Sequence, residues 1–476
     1  MNARHAFRYA PQLLAAMLVV SVPGEAENPA TSPDMVPFPN PTGFAATFST
    51  TGSIDFSNPF FQNLGTNGRS CASCHQPSDG WTVTPEHVQA RFDLTGGTDP
   101  IFRTNDGSTS PNADVSTIEA RRSAYSMLLN KGLIRVGIGI PAITEFDLIA
   151  VDDPYGFASA TELSLFRRPL PSTNLKFLST VMVDGRETFL DPTSTDCILG
   201  TTKCFASMHF DFAHQSNSAT VGHAQAAQPL TDEQREAIVA FETTLFTAQV
   251  FDRDAGELTA SHANGGPKYL SSRDFYFGIN DVVSGDYRTG SLFDKTVFRL
   301  YATWDSIDRG GADGSRSEAR RAVARGETLF NTKPIRITGV KGLNDDLSVP
   351  LLQGTCTTCH DTPSSGNHSI PAPLDIGLTD VSRRTPDLPL YTLRNKANPA
   401  LVVQTTDPGR ALITGKWNDI GRFKGPILRG LAARAPYFHN GSAKNLHEAV
   451  DFYNTRFGIG FTDAEKDDLV AFLLTL

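Results

Sequence analysis

Cys71-Ala72-Ser73-Cys74-His75 is the stretch that decides the fold, and Cys356-Thr357-Thr358-Cys359-His360 repeats its pattern later in the chain. Two thiols separated by two residues and followed at once by a His form the attachment motif of a c-type haem. The His supplies an axial ligand to the iron. A thiol redox pair or half of a zinc site are alternatives, but neither requires this His. The sequence therefore predicts two covalently bound haem c groups, held by Cys71, Cys74, Cys356 and Cys359 and ligated by His75 and His360.

The first residues of the chain predict export. Arg4 and Arg8 precede an apolar run over residues 13–22, and Ala26 ends a stretch of small and polar residues. The run is shorter than the ~20 residues that span a membrane. This is the pattern of a secretory signal peptide cleaved near Ala26, so we expect a periplasmic protein with no membrane span.

Charge and the remaining cysteines narrow the class further. The formal net charge of −9 argues against a nucleic-acid partner. Cys197 and Cys204 lie in a loop rich in Gly and Thr, and an oxidising compartment favours a disulfide between them. A reactive thiol pair is the alternative.

Two capping boxes mark helices that follow the two motifs. Thr231 precedes Gln234 by three residues, as Thr462 precedes Glu465, and apolar residues at helical spacing come next. These patterns predict helices over 230–246 and 461–476, each placed as the closing helix of a cytochrome c domain. We therefore predict a mainly α fold, with two cytochrome c-type haem domains, long loops and an irregular connector. The predicted segments are a signal peptide (1–26), a flexible tail (27–43), an N-terminal haem domain (44–250), the connector (251–315) and a C-terminal haem domain (316–476).

The sixth ligand of each iron decides its role, because an open position reacts with peroxide or oxygen and a filled one favours electron transfer. The chain has six Met residues, and none lies beyond Met208. The second haem therefore has no Met in its own predicted domain. A His/Met electron-transfer site is hard to build there.

Three segments near the C-terminus, 422–429, 435–442 and 446–453, resemble the signature of bacterial dihaem cytochrome c peroxidases. In those peroxidases a Met at the position of Tyr453 ligates the second haem. A Tyr there resembles the MauG branch of the superfamily, which implies a second haem ligated by His360 and Tyr453. A core-facing Tyr is the alternative. The resemblance also makes His439 a candidate distal group on the second haem, with a structural His as the alternative.

The resemblance implies that the first haem is the reactive one. The stretch that contains Gln215, His223 and Gln225 resembles the family's distal segment, in which a Glu at the position of Gln225 shuttles a proton. A Gln cannot do this, whereas the neighbouring His223 can. The alternative is that these are solvent-facing loop residues.

Two further positions depart from the family pattern. Val183 stands where the superfamily has a Trp between the haems, so that relay is missing unless another Trp replaces it. Calcium at the domain interface is a family property, but its usual Asn ligand corresponds to Arg122. This substitution makes calcium a doubtful cofactor.

The resemblance implies a periplasmic MauG-like dihaem peroxidase or oxidase. Hydrogen peroxide would react at the His75 haem, with electrons from a small redox protein or an organic donor. One alternative is a haem-dependent oxygenase of the same superfamily, which cleaves rubber-like polyisoprenes. The other is a dihaem electron carrier without catalytic activity. The missing Met favours catalysis, since a carrier would more naturally keep one.

Overall fold

The computed structural model describes residues 31–193, 202–307 and 314–476. Its helices are α1 (Pro85–Thr95), α2 (Ile118–Ala124), α3 (Ser126–Lys131), α4 (Thr202–Gly222), α5 (Asp232–Thr243), α6 (Pro267–Ser271), α7 (Gly314–Thr332), α8 (Ala411–Thr414), α9 (Leu446–Phe457) and α10 (Asp463–Leu474). None of these described helices is long and apolar enough to cross a membrane. The predicted signal peptide, and the side chains of the predicted Cys197–Cys204 disulfide, lie outside the described part of the chain.

The strands are β1 (Thr31–Pro33), β2 (Pro37–Asn40), β3 (Gly43–Ser49), β4 (Ser53–Asp55), β5 (Ile134–Ile138), β6 (Phe146–Asp152), β7 (Leu163–Arg167), β8 (Leu245–Asp252), β9 (Gly256–Glu257), β10 (Ile335–Ile337), β11 (Leu352–Gly354), β12 (Leu390–Asn395) and β13 (Val402–Thr405). They form a four-stranded sheet in the order β2-β3-β8-β9, a three-stranded sheet in the order β13-β12-β6, and the pairs β1-β4, β5-β7 and β10-β11.

The prediction of a mainly α fold is wrong, because the structure is 31% helix and 17% strand. The stretches between the helices are rich in β-branched and aromatic residues, which favour extended backbone. The helix predicted over 230–246 is α5, and it ends earlier than predicted, at Thr243. Strand β8 begins at Leu245, still inside the predicted helix. The predicted flexible tail also contains strands, since β1 pairs with β4 and β2 with β3.

Both predicted capping boxes are confirmed. The Thr231 hydroxyl accepts from the Gln234 backbone N–H, and the Gln234 side chain accepts from the Thr231 N–H. Thr462 and Glu465 make the same reciprocal bonds at the start of α10. Each box satisfies two backbone donors that a helix N-terminus otherwise leaves unpaired. The local sequence therefore sets where these two helices begin.

The C-terminal helices cross in backbone contact. A Cβ built on Gly326 of α7 would lie 2.0 Å from the Asp468 carbonyl oxygen of α10, so only Gly allows this approach. Residues of the predicted connector complete the core here. Trp304 is fully buried and its ring lies 4.6 Å from that of Tyr301, whose hydroxyl donates to the Thr475 carbonyl.

The two halves of the chain are joined by shared strands and by ion pairs. β6, from the predicted N-terminal domain, pairs with β12 of the C-terminal one. The Gln249 N–H of β8 donates to the carbonyl of Leu476. Arg167 at the end of β7 bonds Asp407 through two nitrogens. The first haem motif therefore lies in a structure to which both halves contribute.

Candidate haem centres

The first attachment motif lies on a short 3-10 turn, Cys71–Ser73, in the wall of a cavity. The Nδ1 atom of His75 is 3.0 Å from the Trp81 carbonyl oxygen and 3.0 Å from the Ser172 hydroxyl. A carbonyl oxygen only accepts, so Nδ1 carries the hydrogen and Nε2 keeps a lone pair for a metal. Burial lowers the pKa of His75 to about 4. The imidazole is therefore neutral at pH 7, which is the form that ligates iron.

The second attachment motif has the same local form. The 3-10 turn Cys356–Thr358 precedes His360, whose Nδ1 donates to the Gly366 carbonyl oxygen at 2.5 Å. Burial lowers the pKa of His360 to about 4. Nε2 is again the nitrogen left for a metal, so both motifs present an oriented, neutral imidazole.

Three of the four motif cysteines have pKa values unlike that of a redox-active thiol. All four are free. Burial raises the pKa of Cys71 and of Cys74. It also raises the pKa of Cys356, to about 12. A redox-active Cys needs a lowered pKa, because the thiolate is the nucleophile. Within the described ranges, no group of three His, Cys, Asp or Glu side chains could hold a metal ion by itself. The zinc interpretation therefore lacks ligands in the described part.

The cavity in front of His75 is built by both halves of the chain. It opens to solvent, and together with its open mouth the empty space measures about 1600 Å³. Its lining includes Phe212, Gln215, Ser216 and Thr220 of α4, and Lys424, Pro426, Ile427 and Arg434 of the C-terminal half. Cys71 and Cys74 belong to the same lining, so the cavity is where a porphyrin bonded to them would lie.

His223 and Asp106 form a hydrogen-bonded pair in the lining of this cavity. His223 uses Nδ1, and Arg69 forms an ion pair with the other carboxylate oxygen. Burial alone raises the pKa of Asp106, but the bonds with His223 and Arg69 outweigh it and lower that pKa. Asp106 is therefore ionised at pH 7, and Nε2 is the nitrogen of His223 that remains available. His223 is close enough to lower the pKa of His75.

The structure brings two of the three distal candidates to the cavity. Gln215 and His223 are both in its lining. Gln225 is exposed, lies outside the lining, and accepts from the Asn67 side chain at 3.4 Å. α4 ends at Gly222, and Gln225 lies in the irregular stretch that follows. The position at which the family has its Glu is thus a surface position in this chain.

Two partly buried Arg residues line the first cavity without a carboxylate partner. Arg168 and Arg434 both line it, and neither forms an ion pair with any described residue. Their hydrogen bonds go to backbone carbonyls, and burial lowers the pKa of each to about 10. A buried cation without an anion is costly. The pair therefore suits the two propionates of a haem.

Tyr453 of α9 lies beside the second motif. Burial raises its pKa, and Cys359 and Cys356 are near enough to raise it further. The ring packs 6.1 Å from that of Phe438 and 6.4 Å from that of Phe457. Within the described residues its hydroxyl has no hydrogen-bond partner. A phenol in such surroundings stays protonated unless a metal binds its oxygen, so Tyr453 suits an iron ligand.

Arg429 is a buried cation near the second motif. It is 1% exposed, its Nε donates to the Ser364 carbonyl, and Nη1 and Nη2 are buried with no hydrogen-bond partner among the described residues. Ser364 lies between His360 and Gly366, the residue that holds its imidazole. An anionic group at this position, such as a haem propionate, would satisfy both nitrogens.

His439 is buried in an ion-pair cluster and is not part of the first cavity's lining. Its Nε2 lies 3.9 Å from the Asp407 carboxylate, and its ring stacks on Phe423 with centroids 4.1 Å apart. Burial lowers the pKa of His439 to about 4. Its distal role on the second haem therefore stays a prediction.

Sequence reasoning missed the residues that act on the two cavity histidines. Asp106 lies 117 positions from its partner His223, and Ser172 lies 97 positions from His75. No local spacing connects such pairs. The isolated Arg residues of the cavity lining carry no motif either, because an Arg in a loop is most often a solvated surface residue.

No model of a protein family matches the chain. Among proteins of known sequence, it is similar to the cytochrome-c peroxidase IdrP1 of Pseudomonas sp. (strain SCT), with 27% identity over 234 residues, 44% of this chain and 54% of the relative. It is 34% identical over 134 residues to IdrP2 of Denitromonas iodatirespirans, covering 26% of this chain and 36% of that protein. It thus spans about half, or less, of the length of these relatives.

Among solved structures, the chain is similar to a MauG-like protein associated with microbial copper homeostasis, with a TM-score of 0.36 and 16% identity over 95% of each chain. A third relative by sequence is the cytochrome c551 peroxidase of Nitrosomonas europaea, 30% identical over 128 residues, 26% of this chain and 32% of that enzyme. By sequence the chain is therefore similar to bacterial cytochrome c peroxidases over part of its length, in agreement with the resemblance of its motifs.

Proposed function

We propose that the protein is a dihaem c-type peroxidase that reduces hydrogen peroxide with electrons from an external protein or organic donor. The relatives named cytochrome-c peroxidase support the reaction class. The two Cys-x-x-Cys-His motifs support two covalent haems. The observation that carries the proposal is the first cavity, which holds a neutral, oriented His75 and an oriented His223–Asp106 pair in one lining.

A haem held by Cys71, Cys74 and His75 would supply an iron atom with a position for peroxide. Reduction of one hydrogen peroxide to two water molecules consumes two electrons and two protons. A proton must also move from one peroxide oxygen to the other as the O–O bond breaks. This transfer needs a group that both accepts and donates a proton near neutral pH.

In this proposal His223 is the residue that moves that proton. Its Nδ1 is occupied by Asp106, so the exchange takes place at Nε2. The ionised Asp106 stabilises the imidazolium that forms when Nε2 accepts a proton, as the carboxylate does in other His–Asp pairs. Arg69 keeps Asp106 in place and charged. Gln215 can contribute a hydrogen bond to the ligand but no proton.

The second haem would be held by Cys356, Cys359 and His360, with Tyr453 as the sixth ligand. Its role in the proposal is to store and pass an oxidising equivalent. An anionic oxygen donor favours ferric and higher iron over ferrous iron. This ligand set would place the protein in the MauG-like branch.

The proposal includes export to the periplasm, and calcium stays a doubtful cofactor. Arg122, at the position of the usual calcium ligand, pairs with Asp93 at the surface at 2.8 Å, and both side chains are more than half exposed. A guanidinium group cannot ligate a cation.

The test is peroxide reduction by the mature holoprotein, followed with stopped-flow spectroscopy and a chemical electron donor. His223→Gln should lower kcat/KM for peroxide about 10²–10⁴-fold, the usual contribution of a general acid–base. His209→Gln is the matched control, because His209 is an exposed His of α4 that lies outside the cavity lining and pairs with Glu236. A holoprotein that carries both haems and does not turn over peroxide would refute the proposal.

A further inference from the structure

One short segment of the chain, residues 424–428, contacts both predicted haem sites. Lys424 and Ile427 belong to the lining of the first cavity. Between them, a Cβ built on Gly425 would lie 3.6 Å from the carbonyl oxygen of Cys359, which is an attachment residue of the second haem. The segment therefore has the first cavity on one side and the second motif on the other.

The same segment is hydrogen-bonded to the loop that orients the second predicted iron ligand. The Leu428 N–H donates to the Ser365 carbonyl at 2.8 Å. The next residue of that loop, Gly366, supplies the carbonyl that accepts from His360. A path of backbone and hydrogen bonds thus leads from the lining of the first cavity to the second ligand.

Lys424 contributes a partly buried ammonium group to this segment. Its backbone N–H donates to the Val183 carbonyl at 2.9 Å, and Nζ donates to the Thr180 carbonyl at 3.0 Å. Besides the first cavity, Lys424 lines a small space together with Thr180, His368 and Gly425. Since Gly425 contacts the second motif, the Lys424 side chain lies close to both sites.

The charge of Lys424 has no anionic partner in the described part of the chain. The residue forms no ion pair there, and burial lowers its pKa to about 7. His368, in the same small space, differs in this respect, because its Nδ1 lies 3.3 Å from the Asp361 carboxylate. A cation withdrawn from water without an anion is costly. An anionic haem propionate on either side would favour the ammonium form of Lys424.

We propose that the ammonium group of Lys424 is shared by the two predicted haems and favours the ferrous state of both. The inference rests on the proposed function, since it assumes a haem at each motif. Reduction of a ferric haem adds one negative charge to its site, and a nearby cation stabilises that charge. Because Lys424 lies close to both sites, its charge acts on both irons.

The test is a spectroelectrochemical titration of the holoprotein in which the two haems are followed separately. Lys424→Met keeps an unbranched side chain and removes the charge. It should shift the Fe(III)/Fe(II) equilibrium of each haem about tenfold toward ferric, the effect of a unit charge ~10 Å away at an effective dielectric constant of ~20. This shift is about 59 mV for a one-electron couple. Lys424→Arg keeps the charge and should leave both equilibria close to those of the wild type.

Lys416→Met is the matched control, because Lys416 is exposed and lies outside both linings. It should move neither potential. Circular dichroism and the content of covalent haem should match those of the wild type in every variant that is titrated. If Lys424→Met does not fold, Lys424→Gln takes its place, since it also removes the charge.

Unchanged potentials of both haems in the variant without the charge would overturn the inference. A shift at one haem only would also overturn it, because the charge would then not be shared. A shift of equal size in Lys424→Arg would overturn it as well, because packing and not charge would be the cause. All three results leave the peroxidase proposal intact, and that proposal fails separately if the wild-type holoprotein does not turn over peroxide.

Discussion

Replacing Asp184 by Asn should destabilise the protein in a manner that depends on pH. Asp184 is fully buried, and its carboxylate bonds Arg167 at 2.6 Å and Arg186 at 3.0 Å. Arg167 also bonds Asp407 of the C-terminal half. The loop that precedes Arg186 lines the first cavity through Met182 and Val183. The carboxylate therefore links the wall of the first cavity to the other half of the chain.

The magnitude follows from the pKa of the carboxyl group. Burial alone raises the pKa of Asp184, but Arg167 and Arg186 outweigh that effect and lower it to about 2. Against ~3.9 in the unfolded chain, a difference of about two pH units corresponds to about 2.6 kcal/mol. The folded pKa is the lower one, so this stability is fully present above pH ~4 and is lost as the pH falls to ~2. At pH 7, breaking the buried pair should cost about 3–5 kcal/mol.

The assay is urea unfolding of wild type and Asp184→Asn, followed by circular dichroism between pH 7 and pH 2. The difference in unfolding free energy between the two proteins should be largest at pH 7 and should narrow by about 2 kcal/mol by pH 2. Exposed Asp254 provides the control, and Asp254→Asn should change little at either pH. A gap of constant size from pH 7 to pH 2 would show that the charge of Asp184 is not what stabilises the fold.

Three further predictions concern the haem sites and the helix crossing. Replacing both Cys71 and Cys74 by Ala, or both Cys356 and Cys359, should remove both thioether bonds to one haem, and the haem that acid acetone cannot extract should fall from two to one per chain; two covalent haems in either double variant would contradict the attachment sites. Tyr453→Phe should convert the second haem to a five-coordinate or water-ligated form in electronic spectra, whereas an unchanged low-spin spectrum would remove Tyr453 as the ligand. Gly326→Ala should lower the free energy of unfolding by about 1–3 kcal/mol, because the added Cβ would meet the Asp468 carbonyl oxygen of α10. Unchanged thermal unfolding would mean that α7 and α10 can separate at little cost.

Local chemistry explains which features could be predicted from the sequence. Thr231 and Thr462 begin their helices as predicted, because a capping box needs only residues three positions apart. The relation to cytochrome c peroxidases was also carried by short contiguous motifs. Strand pairing was not predictable in this way, since β3 finds its partner β8 some 200 positions away, as the Thr47–Thr247 bond shows. That is why the mainly α prediction failed.

The same difference between local and long-range signals applies to the residues of the candidate site. His75 and His360 could be named from the motif alone, whereas their hydrogen-bond acceptors could not. Gln225 was chosen by its position relative to a family pattern, and the structure places it at the surface because α4 ends before it. Asp106 has no signal in the sequence, since a lone carboxylate is usually solvated and only folding brings it beside the cavity.

The resting ferric EPR spectrum of the mature holoprotein tests the central claim most directly. An open first haem and a second haem with two axial ligands should give one high-spin and one low-spin signal per chain. Cyanide should convert the high-spin signal to low-spin and leave the other unchanged, because only the His75 haem has an accessible position. Two low-spin haems, both unaffected by cyanide and by peroxide, would contradict the account and identify the protein as an electron carrier.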